Sequence, residues 1–166
     1  MSPAPLDALF LDLFPDSVRV AWRRLEQDER PAFRFGAEAA VVEGAVAKRQ
    51  IEFAAGRELF HRLHEELRRE HPDLAELAPL LPAGDRGPVW PEGLVGAISH
   101  TAGLCVVAVA RTADHTRLGL DVEVTEPLKE KLWPQILTVS ERARLKGLGR
   151  RGVLLSKLHF SGKEAI

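Results

Sequence analysis

The sequence has little of what marks secreted, membrane-spanning or nucleic-acid-binding proteins. Cys105 is the single cysteine, so no disulfide can form within the chain. The 23 Lys and Arg residues balance 24 Asp and Glu residues, which leaves no overall field to recruit nucleic acid or an anionic membrane. No apolar stretch approaches the roughly 20 residues that span a bilayer. The first 16 residues carry three aspartates and no basic residue, unlike a signal peptide. We therefore expect a cytoplasmic protein.

The composition is that of a globular protein. Hydrophobic residues make up 45% of the 166 residues and charged residues 28%, close to the average for soluble domains. A chain of this length buries roughly 70% of its unfolded surface. It can therefore form one domain or two small lobes with a real core.

A long amphipathic helix is predicted over residues 44–73, where apolar residues recur every four positions and Pro72 follows. Arg49 and Arg57 lie eight residues apart, about 80° around and roughly 12 Å along the helix, so they share a surface. Gly56 lies on the same surface, and a glycine inside a helix costs about 1 kcal/mol relative to alanine. This suggests that something needs close access to the backbone there, although the two arginines could also belong to an ordinary solvated face.

Two strands and two further helices are predicted after a loop at residues 82–97. The run 103–110 has the length and β-branched content of a buried strand, residues 118–124 are predicted as a second strand, and we expect the two to pair as an antiparallel hairpin. Thr138 and Glu141 fit a capping box at the start of a helix. Residues 153–166 begin another helix. This mixture predicts an α/β (α+β) fold.

Two carboxylates on the second predicted strand, Asp121 and Glu123, are candidates for a metal site. Residues two apart on a strand point to the same face. Two carboxylates there repel each other unless a cation lies between them, and Mg²⁺ prefers such oxygen ligands. The simpler alternative is a solvent-facing pair.

Ser99 and His100 precede the first predicted strand. Adjacent residues on an extended chain point to opposite faces, so they cannot bond as a catalytic dyad. Contact with a phosphate is the more plausible function, and a structural histidine is the alternative. Near the end of the sequence, Lys163 and Glu164 are adjacent on a predicted helix. Their side chains point about 100° apart around the helix axis and could reach neighbouring parts of one site.

A basic stretch runs from residue 142 to residue 163 and contains no acidic residue. It can be a solvated face or a docking surface for a phosphate or an acidic partner. Its seven basic residues are Arg142, Arg144, Lys146, Arg150, Arg151, Lys157 and Lys163.

Four motifs, in order along the chain, resemble those of the 4′-phosphopantetheinyl transferases of the enterobactin-synthase type. They are KRQIEFAAGR, RGPVWPEGLVGAISH, GLDVE and FSGKEA. The resemblance implies two similar lobes about a pseudo-twofold axis, with coenzyme A in the cleft between them. It also implies a Mg²⁺-dependent enzyme that moves the phosphopantetheine arm of coenzyme A to a serine of an acyl, peptidyl or aryl carrier protein.

The resemblance further implies roles for individual residues. Lys163 would assist deprotonation of the carrier serine or neutralise phosphate charge. The metal on the diphosphate would be held by Asp121, Glu123 and Glu164, and Glu164 would belong with Lys163 to the catalytic pair. The nucleotide and its phosphates would be lined by Arg49, Arg57, Arg86 and His100, with Ser99 beside them.

The resemblance also bears on domain organisation. Residues 1–117 would form the N-terminal lobe and residues 118–166 the start of a C-terminal lobe, which we expect to be incomplete because family members continue the KEA helix into several strands. Phe160 stands where many members have tryptophan. Two other readings stay open: a noncatalytic coenzyme A or nucleotide-binding module, and an α/β interaction domain whose polar residues only cap and solvate.

Overall fold

Three strands, five α-helices and a 3-10 helix (Glu130–Leu132) are bounded in the part of the chain that the computed structural model describes, residues 10, 13–84, 87–101 and 103–165. In chain order the strands and α-helices are β1 (Val18–Arg24), α1 (Gly36–Val42), α2 (Ala47–Glu70), β2 (Leu94–Thr101), β3 (Leu104–Arg111), α3 (Trp133–Ile136), α4 (Val139–Gly147) and α5 (Arg150–Glu164). None of the described helices is both long and apolar enough to cross a membrane. The mixed content confirms the expected α/β fold class.

The sheet has the strand order β1-β3-β2, with both pairings antiparallel. The expected hairpin between residues 103–110 and 118–124 is wrong. β3 instead pairs with β1 along one edge and with β2 along the other, so neither of its edges is free for a further strand. Residues 118–124 accordingly adopt no regular secondary structure.

Both faces of β3 are covered, because residues 105–110 are all fully buried. Side chains alternate across a strand. Cys105 and Val107 therefore pack on one face against α2, while Ala108 packs on the other face with Leu118 and Leu120. The irregular segment 118–124 thus lies against the side of the sheet opposite α2.

The long helix α2 forms as its apolar periodicity predicts, and it packs on the sheet through residues such as Leu59 and Leu63. The close approach expected at the Gly56 backbone is made by the sheet. A Cβ atom at this position would lie 3.0 Å from Cγ2 of Ile98 on β2. The glycine therefore serves close packing between helix and sheet.

The C-terminal helices form a second, smaller core in which Leu128, Trp133, Leu137 and Leu145 are buried. The predicted capping box is confirmed. The amide of Glu141 donates to the Thr138 hydroxyl, and the amide of Thr138 donates to the Glu141 carboxylate. This box fixes the start of α4, against which α5 packs.

Two glycines of α5 provide a matched test of this packing. A methyl group at Gly152 would collide with the backbone carbonyl of Leu145, whereas Gly162 has open space around it. We expect Gly152→Ala to lower the free energy of unfolding by about 3 kcal/mol, as overpacking does. Gly162→Ala should raise it by up to about 1 kcal/mol through helix propensity. Urea titrations followed by circular dichroism measure both, and equal stability of the two variants would contradict the packing described.

Candidate functional site

Strand β2 sends two adjacent polar side chains to opposite sides of the sheet, as the sequence predicts for Ser99 and His100. His100 points to the side of α2, where its Nε2 lies 3.2 Å from Nη1 of Arg49. Ser99 points to the other side, where its hydroxyl donates to Oδ1 of Asp121 at 3.0 Å. The candidate site therefore has two parts, one on each side of β2.

The first part is a cavity of about 390 Å³ between α2, β2 and the loop before β2, which we call the basic pocket. It brings together three of the predicted cofactor-binding residues, Arg49, Arg57 and His100. Glu52 also lines it, and its carboxylate lies 3.5 Å from Nδ1 of His100. An anion entering this pocket would meet two guanidinium groups and an imidazole, besides the Glu52 carboxylate.

Arg57 is the most constrained member of the basic pocket. Its side chain is buried, Nε donates to the backbone carbonyl of Leu80 at 3.1 Å, and the guanidinium carbon lies 3.6 Å from the centre of the Phe53 ring. Burial lowers the pKa of Arg57 to about 10, so the group still carries its charge at neutral pH. The Glu38 carboxylate partly offsets this effect of burial, and an anionic ligand in the pocket would stabilise the charge of Arg57 further.

The protonation of His100 responds to its neighbours. Burial lowers the pKa of His100, with smaller contributions in the same direction from the charges of Arg49 and Lys48, while Glu52 opposes them. Without a ligand the imidazole is therefore mainly neutral at neutral pH. A phosphate close to the ring would favour its charged form.

The second part is a cavity of about 810 Å³ on the other side of β2, which we call the acidic pocket. Asp121 and Glu123 both line it, together with Lys157 and Ser161 of α5. The predicted strand for these two carboxylates is absent, so their shared location comes from the irregular path of segment 118–124. The end of α5 closes one side of the pocket.

Ser99 holds Asp121 in place. Its hydroxyl donates to Oδ1 of Asp121 and accepts a hydrogen bond from the amide of Val122 at 3.1 Å. The other carboxylate oxygen, Oδ2, is buried and makes no hydrogen bond within the described residues. A buried carboxylate oxygen without a donor is costly, and a bound cation would satisfy it.

Glu123 has a cationic partner within the chain. Its Oε2 accepts from Nζ of Lys157 at 3.0 Å, and the Lys157 ammonium also lies 5.2 Å from the centre of the Phe160 ring. Sequence reasoning counted Lys157 only as one of seven basic residues. Its spacing offered a signal that was missed, because Lys157 is seven residues before Glu164 and so lies on nearly the same face of the helix.

The GLDVE and KEA motifs meet through a close backbone contact. A side chain on Gly119 would collide with the carbonyl group of Ala165, so only glycine permits this approach of segment 118–124 to the end of α5. Glu164 precedes Ala165 but does not line the acidic pocket. Within the described ranges, no group of three or more His, Cys, Asp or Glu side chains is gathered in a way that could hold a metal ion.

Lys163 points away from the acidic pocket. Its ammonium donates to Oε2 of Glu141 at 2.7 Å and to the backbone carbonyl of Ile136 at 2.8 Å. The hydrogen bond from Lys163, with that from the Thr138 amide, holds the pKa of Glu141 at about 2. Lys163 thus joins α5 to the capping box of α4, and its expected catalytic function stays a prediction.

Predictions from the sequence also concern Arg86 and Cys105. Arg86, expected to contact the nucleotide, lies outside the described residues. Cys105 is fully buried in β3, and burial raises the pKa of its thiol to about 12. It therefore acts as a small apolar residue, as its sequence context indicates.

Comparisons with known proteins point to one family. Residues 37–110 match the model of the 4′-phosphopantetheinyl transferase N-terminal domain. The chain is 37% identical over 141 residues to the 4′-phosphopantetheinyl transferase Svp of Streptomyces mobaraensis, an alignment that covers 84% of this chain and 55% of the relative.

Two further relatives agree. Enterobactin synthase component D of Salmonella typhi is 32% identical over 72% of this chain and 47% of its own length. The 4′-phosphopantetheinyl transferase PptT of Mycobacterium tuberculosis is 30% identical over 77% of this chain and 54% of its own length. The chain thus spans about half the length of the curated relatives it matches. With its matching domain and the four motifs in order, it belongs to the 4′-phosphopantetheinyl transferase superfamily.

Proposed function

We propose that this chain carries the coenzyme A site and part of the catalytic centre of a 4′-phosphopantetheinyl transferase. The reaction moves the phosphopantetheine arm of coenzyme A to a serine hydroxyl of an acyl or peptidyl carrier protein. Three of the relatives are named as such transferases, and two as enterobactin synthase component D. Siderophore, nonribosomal peptide or polyketide synthesis in the cytoplasm would be the setting.

The observation that carries this proposal is the division made by β2. Arg49 places a cationic group beside His100 on one side of the strand, and Ser99 presents Asp121 on the other side. Coenzyme A has phosphates to be bound by cations, and its diphosphate also recruits a metal ion. His100 would thereby contact the phosphates of the substrate, and its neighbour Ser99 would hold a ligand of the metal ion.

The transfer is a phosphoryl substitution with a clear balance of bonds. The serine oxygen of the carrier forms a bond to the phosphorus that bears the pantetheine arm. The bond from that phosphorus to the bridging oxygen breaks, the nucleotide bisphosphate leaves, and the serine proton passes to a base. In such reactions the protein mainly positions the reacting groups and stabilises the charge on the phosphates. Arg49, Arg57 and His100, with Arg86 as expected from the motifs, would supply the cationic contacts.

The residues of the acidic pocket fit a Mg²⁺ ion. Asp121 offers a buried oxygen with no hydrogen-bond donor, and Glu123 lines the same pocket. Carboxylate oxygens are the ligands that Mg²⁺ prefers. We assign Asp121 and Glu123 to hold the ion and Glu164 to complete the set, since Gly119 and Ala165 bring its helix end to this segment. When bound, the ion neutralises charge on the diphosphate.

Lys163 and Glu141 would act together in this proposal. The ammonium of Lys163 is held by the Glu141 carboxylate and the Ile136 carbonyl. Contact with the carrier serine or with a phosphate requires Lys163 to leave these partners. Because Glu141 also caps α4, it can remain satisfied by the Thr138 amide after the lysine departs.

A second candidate function is a noncatalytic coenzyme A or nucleotide-binding module. One observation favours it, namely that the described residues do not gather the three carboxylates into one metal-binding group. The basic pocket requires no metal to bind phosphates. Binding without transfer would therefore distinguish this function from the first.

The intact mass of an apo carrier protein tests the transferase directly. The carrier is incubated with coenzyme A, Mg²⁺ and either this chain or a chimera that continues after Ile166 with the corresponding part of the Svp relative. We expect a gain of one phosphopantetheine with the chimera at least, because its site residues come from this chain. No gain with either protein, while coenzyme A still binds, would contradict the transferase and favour the binding module.

Because Ser99 and His100 lie on opposite sides of β2, substitutions at these two adjacent residues should weaken the binding of different ligands. Ser99→Ala should weaken Mn²⁺ binding by about tenfold, because removing a partner of a metal ligand costs 10 to 100-fold in affinity. His100→Ala should weaken coenzyme A binding without metal by about tenfold, the loss expected for a hydrogen bond to a charged group. Each variant is the control for the other. Titration calorimetry measures both affinities, and a parallel loss of both in either variant would argue against the division.

The basic N-terminus of α5 is a candidate docking surface for carrier proteins, which are typically acidic. Arg150 and Arg151 are exposed there. Replacing both by glutamate should raise the Michaelis constant for the carrier several-fold and leave coenzyme A affinity unchanged, because complementary charge speeds encounter. Acidic residues suit a helix N-terminus, so folding should not suffer.

The matched control for this docking test reverses two exposed arginines of α2, Arg62 and Arg69. It makes the same change in net charge at a different surface. If both double variants alter the Michaelis constant for the carrier equally, the effect is due to net charge, and the assignment of the docking surface to the N-terminus of α5 is wrong.

A further inference from the structure

Lys157 is the basic side chain that α5 directs into the acidic pocket. Side chains four and seven residues apart lie on one face of a helix. Lys157 therefore shares its face with Ser161, which also lines the pocket, and with Glu164. Lys163 is six residues from Lys157, so it points to a different side, towards Glu141. The cation in the pocket is thus not the lysine of the KEA motif.

The ion pair between Lys157 and Glu123 is short and largely shielded from solvent. The ammonium lies 3.0 Å from Oε2, and the two side chains are 19% and 24% exposed. The ammonium also packs towards the Phe160 ring. Among the described lining residues, Asp121, Glu123 and Lys157 are the charged ones, so the pocket carries a net charge of about −1 with Lys157 present.

The Lys157 ammonium occupies the position next to Glu123 at which a metal cation would have to bind. A divalent ion that uses both Asp121 and Glu123 must approach the carboxylate to which Lys157 already donates. Two positive charges a few ångströms apart repel strongly where solvent screening is weak. Asp121 Oδ2 has no such competitor within the described residues. Glu123 is therefore the ligand at which metal and lysine conflict.

We propose that Lys157 is the resident counter-ion of the acidic pocket and that a divalent cation binds there by displacing its ammonium from Glu123. The inference rests on the proposed function, because that function places the metal at Asp121 and Glu123. Lys157 then sets the metal affinity of the site: it keeps Glu123 paired and in place without metal, and it weakens metal binding by the cost of displacement. A neutral residue at this position removes the competitor.

The test is direct Mn²⁺ binding to the 166-residue chain, measured by electron paramagnetic resonance of the free ion. Lys157→Met keeps the length of the side chain and removes its charge, and it should bind Mn²⁺ at least about fivefold more tightly than the parent. Lys157→Gln can still donate to Glu123 and provides a second neutral variant should the methionine variant fold poorly. Lys157→Arg retains the charge and should bind no more tightly than the parent.

Lys146→Met is the matched control, since it removes the same charge from an exposed residue of α4 that does not line the acidic pocket. It should leave Mn²⁺ affinity unchanged. Tighter binding in the two neutral Lys157 variants alone supports displacement. Equal or weaker binding in both overturns it, as does a parent chain that binds no Mn²⁺.

Coenzyme A binding in the same samples separates this inference from the proposed function. A parent chain that binds Mn²⁺ but no coenzyme A would contradict the proposed function, while the comparison among Lys157 variants would still decide whether the lysine competes with the ion. A parent that binds both, with neutral Lys157 variants that bind Mn²⁺ no better, would leave the proposed function standing and reject the displacement.

Discussion

The pairing of β2 with β3 is the constraint on which the candidate site depends. β3 is enclosed by strands at both edges and by side chains on both faces, so its position is fixed by the core. The register with β3 places Ser99 opposite Val106 and His100 opposite Cys105. Alternation along the strand then sends His100 to the side of α2 and Ser99 to the side of segment 118–124. A slip by one residue would exchange the two and dismantle both pockets.

The electrostatics follow from this division. Arginines of α2 can approach β2 on one side without neutralising the carboxylates on the other. Arg49 meets His100 at the surface, and Arg57 is buried with its charge retained. Across the strand, Asp121 is held by the Ser99 hydroxyl and keeps one oxygen without a donor. A ligand that carries phosphates and an associated metal ion would satisfy both sides.

Local signals in the sequence predicted the local structure well. The helix α2, the capping box at Thr138 and the opposite directions of Ser99 and His100 all follow from periodicity and from side-chain hydrogen bonding, which involve only near neighbours. Non-local pairing was predicted poorly. The run 118–124 has the composition of a strand. Its expected partner, β3, is already hydrogen-bonded to β1 at one edge and to β2 at the other.

The same limit applies to individual residues of the site. The role of Gly56 could not be deduced from the helix alone, because its neighbour Ile98 comes from a strand about forty residues away. Gly119 could not be connected to Ala165 for the same reason. The ion pairs of Lys157 and Lys163 depend on how α5 rotates against its neighbours, and helix spacing gives only the relative directions of the two lysines. The motifs identified the candidate residues, and the tertiary contacts place these residues in two separate pockets.

The most direct measurement of the central claim is a crystal structure of the chain with coenzyme A and Mn²⁺, in which anomalous scattering locates the ion. The account predicts nucleotide phosphates against Arg49 and His100, and an Mn²⁺ peak next to Oδ2 of Asp121 on the other side of β2. A nucleotide bound away from α2, or an ion bound without Asp121, would contradict it.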